Sequence, residues 1–91
     1  MKDLATEIYR KIIYKFGDTK QIIVAIEELS ELQKALCKWL RDDKSGIDDI
    51  VEEIADVRIM IEQLEMIFDC DLLVMEQRHK KLERTEKRYL K

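Results

Sequence analysis

Apolar residues recur every three or four positions along almost the whole chain, the period of amphipathic helices that turn one face inward. Four such segments can be marked off. The first spans about Asp3 to Phe16, with Leu4, Ile8, Ile12 and Phe16 on one stripe, Tyr9 and Ile13 beside it, and Gly17 as its C-terminal stop. A second follows at once: Asp18 is the expected N-cap and Gln21 its capping-box partner, and Ile22, Ile26, Leu29, Leu32, Leu36 and Leu40 carry the stripe to about Arg41. Asp42-Asp43-Lys44-Ser45-Gly46 is the one plainly polar connection. A third helix is expected to start between Ser45 and Asp48 and to run through Ile50, Ile54, Val57, Ile61, Leu64 and Phe68. Asp69-Cys70-Asp71 reads as a tight junction, after which Leu72, Met75, His79 and Leu82 lead a fourth helix to the C-terminus. Long helices on short connections predict one all-α domain over residues 1–91, an up-and-down, four-helix-bundle-like fold.

Composition narrows this further. Of 91 residues, 46% are hydrophobic and 41% charged, with two Gly and no Pro, which leaves too few turn residues for a β sandwich or barrel and too much regular apolar content for a disordered tail. A chain this short buries only about 60–65% of its unfolded surface, so a homo-oligomer, dimer or tetramer, is expected. The opening Met-Lys-Asp-Leu-Ala-Thr-Glu has no apolar stretch behind a basic segment, and no run approaches the roughly 18 apolar residues that cross a bilayer, so a soluble, cytoplasmic protein without a membrane partner is expected. Cys37 and Cys70 lack CxxC spacing and sit among apolar neighbours, which suits small buried thiols in a reducing compartment. His79 is the single histidine, so His-rich zinc sites are excluded, and no Gly-rich phosphate loop is present.

The net charge of −3 conceals a dipole. Arg78, Lys80, Lys81, Arg84, Lys87, Arg88 and Lys91 stand against Glu83 and Glu86, a net of +5 over 78–91, which leaves −8 for residues 1–77. Acids interspersed in the basic end, on an acidic body, argue against general nucleic-acid binding, and a solvated helix face is the plainer explanation of that end.

Chemistry is concentrated in two nearly identical acidic patterns, Glu27-Glu28-Leu29-Ser30-Glu31 on the second helix and Glu52-Glu53-Ile54-Ala55-Asp56 on the third. At about 100° per residue, Glu28 and Glu31 share a face, and so do Glu53 and Asp56. Like charges at that spacing repel, and four carboxylates converging between helices require countercharge. With 20 acids in 91 residues, either pattern alone is what chance and a solvated face produce; two copies on neighbouring helices, each bordering the apolar stripe, point to a metal. An all-oxygen set suits Mg²⁺, with Mn²⁺ as the alternative, and the lack of histidine disfavours a di-iron bundle.

At these residues the chain resembles the MazG-like all-α nucleoside triphosphate pyrophosphohydrolases, whose signature is EExxE followed by ExxD: here Glu27-Glu28-x-x-Glu31, then 21 residues, then Glu53-x-x-Asp56. The resemblance covers about residues 18–84. It implies the MazG-type fold and a Mg²⁺-dependent enzyme that cuts a nucleoside triphosphate between the α- and β-phosphates, releasing monophosphate and pyrophosphate, as in nucleotide-pool cleansing. Glu28, Glu31, Glu53 and Asp56 would be the metal ligands, with Glu27 and Glu52 as catalytic groups around them that orient water. The resemblance also places basic residues of the last helix near the phosphates, with Lys81 and Arg84 foremost and Lys80 and Arg88 behind them. Gln21 is a candidate nucleotide contact, with capping as its other role. The chain has no Asn, so an Asn contact to base or sugar has no counterpart and the resemblance leaves the base open. Trp39 and the tyrosines are candidates to stack on a base or to pack. Two other readings stand beside this one: a non-enzymatic helical assembly module, and a phosphoribosyl-ATP pyrophosphohydrolase.

Overall fold

A computed structural model describes residues 3–42 and 46–90, so the middle of the polar connection, Asp43-Lys44-Ser45, lies outside the described residues. The described residues form four α-helices and no strand: α1 (Leu4–Phe16), α2 (Asp18–Arg41), α3 (Ile47–Ile67) and α4 (Asp71–Tyr89). No helix among them is long and apolar enough to cross a membrane.

Local chemistry sets the boundaries. Asp3 caps α1 by accepting the Thr6 backbone N–H at 2.9 Å, and this bond holds its carboxyl below the usual range. Gly17, at φ +90°, ends α1 and donates its N–H to the Ile13 carbonyl at 2.7 Å. The same glycine is the N-cap of α2, which corrects the expected capping box: Asp18 is already the first helical residue, and no side chain caps this end. Asp18 meets the positive end of the helix dipole instead, and Gln21 turns inward. Between α3 and α4 the turn is made by Asp69, at φ +49°, and Cys70.

α2 and α3 form the central pair, packed antiparallel: Gln21 lies against Gln63 and Glu28 against Asp56, so position falls on one helix as it rises on the other. The face α2 turns inward is Gln21, Ala25, Glu28, Leu32, Ala35 and Trp39, a three-four spacing that is mostly small or polar. On α3 it is Ile50, Glu53, Val57, Met60 and Gln63. The apolar stripes expected to form the core are therefore only partly inside. Ile26, Leu29, Leu36 and Leu40 on α2, and Ile47, Val51, Ile54 and Ile61 on α3, remain 41–69% exposed. These exposed seams sit one residue after the inward positions on both helices. Because the helices are antiparallel, equal rotations about each axis bring both seams to the same side of the pair.

α1 closes another side. Tyr9, 8% exposed, donates its hydroxyl to Glu62 Oε1 at 2.9 Å, and burial together with that acid raises the Tyr9 pKa. α4 approaches no helix but α3, and none of its residues is buried. The outcome is open: the radius of gyration is 16.1 Å, against about 12 Å for a compact domain of this length. Accessible surface is 7,696 Å², against about 5,600 Å² for a compact monomer of this mass. The cysteines follow suit. Cys37 is exposed and Cys70 half-buried, correcting the expectation of two buried thiols; Gln33 and Arg41, one turn to either side of Cys37 on the same flank of α2, are exposed as well.

Candidate metal centre between the second and third helices

Glu28 on α2 and Glu53 and Asp56 on α3 each bring a carboxylate oxygen to within 4.8 Å of the others. Helix geometry achieves this. Glu28 and Glu53 are inward positions of the antiparallel pair, and Asp56, one turn on from Glu53, returns to the same face. Glu28 and Glu53 are half-buried and Asp56 is exposed.

Electrostatics show how ill-suited the cluster is to standing ionised. Burial is the largest cause raising the Glu28 pKa, followed by a side-chain hydrogen bond with Asp56 and the charges of Asp56, Glu53 and Glu31. Glu53 is raised as well, again first by burial and then by Asp56, Glu31, Glu52 and Asp49. Among the described residues, no lysine or arginine enters either balance. One oxygen stands out: Glu53 Oε2 is buried and has no hydrogen-bond partner. Buried oxygens of this kind are normally satisfied, and a hard divalent cation is the group that would satisfy three convergent carboxylates at once. The residues present therefore fit Mg²⁺ or Mn²⁺.

The other expected site residues are distributed unevenly. Glu31 acts on Glu28 and Glu53 through its charge but stands outside the three-oxygen group. Glu27 and Glu52 are exposed beside it. Gln21 is buried, its Nε2 donating to Gln63 Oε1 at 2.8 Å, and so belongs to the packing of α2 on α3. Lys80, Lys81, Arg84 and Arg88 are all exposed on α4. Lys80 pairs with Glu76 at 3.1 Å, Arg88 lies over the Tyr89 ring, and Lys81 lines a groove made by α4 residues alone. Within one chain, none of these four lines the recess beside the carboxylates.

That recess, of about 170 Å³, is lined by Glu31, Lys34, Ala35 and Lys38 of α2 and by Asp49 and Glu53 of α3. Lys34, Lys38 and Asp49 were not singled out by the acidic motifs. The signal was nonetheless in the sequence: Lys34 and Lys38 follow Glu31 by three and seven residues, and Asp49 precedes Glu53 by four, so each continues the face of a motif acid. No protein-family model, curated protein or solved structure matches this chain.

Proposed function

We propose that this protein is a Mg²⁺-dependent nucleoside triphosphate pyrophosphohydrolase of the MazG-like kind, with Mn²⁺ as an alternative ion. The observation that carries this reading is the convergence of Glu28, Glu53 and Asp56, one of which, Glu53, also has a buried oxygen without a hydrogen-bond partner. Those three residues hold the ion, and Glu31, on the same side, completes the acidic wall. When bound, the ion supplies charge neutralisation of the phosphate oxygens and polarisation of the phosphorus centre. Water attacks the α-phosphorus, the bond from that phosphorus to the oxygen bridging to the β-phosphate breaks, and pyrophosphate leaves with the bridging oxygen. The proton given up by the water passes to a carboxylate of the cluster, and the exposed Glu27 and Glu52 orient the water. Nucleotide-pool cleansing is a role consistent with this chemistry.

The direct experiment incubates the protein with Mg²⁺ and a panel of canonical and modified nucleoside triphosphates, with phosphoribosyl-ATP included, and looks for monophosphate and pyrophosphate. Hydrolysis between the α- and β-phosphates supports the reading; no turnover of any of them by folded protein overturns it.

The functional unit in this proposal is a homo-oligomer. The surface exceeds that of a compact monomer by about 2,100 Å² per chain, while a stable interface takes about 800 Å² from each partner. The two exposed seams of α2 and α3 form one apolar face, which a second copy would cover to make four helices. The same exposure favours a second reading, a helical assembly module without catalysis. The two separate on one measurement: a metal centre makes Tm rise with Mg²⁺ concentration, and a bare assembly module leaves it unchanged.

A further inference from the structure

The recess beside the carboxylates is unusual in its charges. Lys34 and Lys38 are one turn apart on α2, and three acids, Glu31, Asp49 and Glu53, line the same space. Yet neither lysine forms an ion pair among the described residues, although other exposed cations of the chain do, such as Arg10 with Glu7 and Lys80 with Glu76. Two lysines without an ion pair among the described residues thus line a space that shares Glu53 with the three-carboxylate group. Asp49 lies in the first turn of α3, whose N-terminus has no side-chain cap, so the positive end of that helix adds to the field there.

We propose that Lys34 and Lys38 bind the β- and γ-phosphates of the substrate, the part that departs as pyrophosphate. The inference rests on the pyrophosphohydrolase reading for the identity of the substrate, and on the recess for the place. Cleavage leaves negative charge on the oxygen that departs with the β-phosphate. The carboxylate wall cannot stabilise that charge, whereas lysine ammoniums donate charge-assisted hydrogen bonds to it. The cations of α4 are not available for this within one chain, because the recess contains none of them.

Calorimetric titration of inorganic pyrophosphate into the protein with Mg²⁺ tests this without turnover. Replacing both lysines, Lys34→Ala with Lys38→Ala, is expected to weaken pyrophosphate binding by at least about tenfold and to raise KM for a hydrolysed nucleotide, while the rise in Tm with Mg²⁺ alone is unchanged. Lys34→Arg with Lys38→Arg restores most of the binding, since the charge and donors return. Both side chains are exposed, so the variants fold, as the helical circular dichroism will show. Pyrophosphate binding by the alanine variant equal to that of the wild type overturns the proposal, as does no binding by the wild type. Wild-type binding that depends on the lysines, without hydrolysis of any nucleotide, leaves the anion site standing and removes the hydrolase reading. Hydrolysis that is indifferent to both lysines does the reverse.

Discussion

The α2–α3 pair and α4 carry the same kind of amphipathic pattern and come to opposite ends. α3 and α4 are 21 and 19 residues long, and each repeats apolar side chains at helical spacing. α3 buries Ile50, Met60 and Gln63 against its neighbours, whereas α4 buries nothing, with Leu72, Leu73 and Met75 all more than 60% exposed. Periodicity specifies a face, and burial requires a partner for it. α2 provides that partner for one side of α3, whereas among the described residues α3 alone approaches α4 and buries none of its side chains. The charged cluster makes the contrast sharper, because the seam between α2 and α3 is also where three carboxylates converge. Good packing there serves to hold carboxylates together, at a cost that a cation would offset.

The largest effect is expected at the cluster itself. Asp56→Ala or Glu53→Ala should lower turnover by about a hundredfold or more, the equivalent of about 3 kcal/mol of lost transition-state stabilisation. Helical circular dichroism should be retained, and activity close to that of the wild type would remove these residues from the ligand set. Next comes the apolar face shared by α2 and α3. Leu29→Lys with Ile54→Lys should weaken self-association by about thirtyfold or more, as sedimentation equilibrium would show. Hydrogen exchange of the dissociated variant should then find α4 far less protected than α2 and α3. A monomeric wild type would reverse the comparison between the two regions.

A smaller effect belongs to the buried amide pair. Gln21→Ala leaves Gln63 without its partner and should cost about 1–3 kcal/mol in urea unfolding, while Gln21→Leu with Gln63→Leu should be nearly neutral, because both polar groups go together. The smallest is a matter of sign. Burial and neighbouring charge raise the Glu28 and Glu53 pKa values in the folded protein, so between the unfolded value, about 4.3, and the raised values the folded state binds more protons. Stability of the metal-free protein should therefore fall as pH rises through that window. Thermal scans in a chelator at pH 5 and pH 7.5 check the direction, and saturating Mg²⁺ should give more stabilisation at the higher pH.

Most of the helix boundaries were legible because local chemistry decides them. Gly17 and the polar stretch before α3 interrupt the apolar period, and Asp3 is a cap with its recipient N–H three residues on. The capping box at Asp18 was not legible, since Gln21 obeys the local rule yet bonds to a residue 42 positions away. Three of the four expected ligands come together for the same reason that they could be read: spacing within a helix sets direction. How far the face of one helix is turned toward the other is not encoded by spacing, and it left Glu31 at the rim while drawing Lys34, Lys38 and Asp49 to the recess.

By itself, the order of residues determined four helices, most of their ends, and two acidic faces, because backbone hydrogen bonding and side-chain period act over a few residues. The tertiary structure alone decided which face of each helix is used inside the chain, that the inner seam carries Gln21, Ala25 and Glu28 rather than the isoleucines and leucines beside them, and that α4 has no buried residue. Those choices depend on the rotation and register of whole helices against one another, and it is that packing, between residues far apart in sequence, that brings the carboxylates of Glu28, Glu53 and Asp56 together.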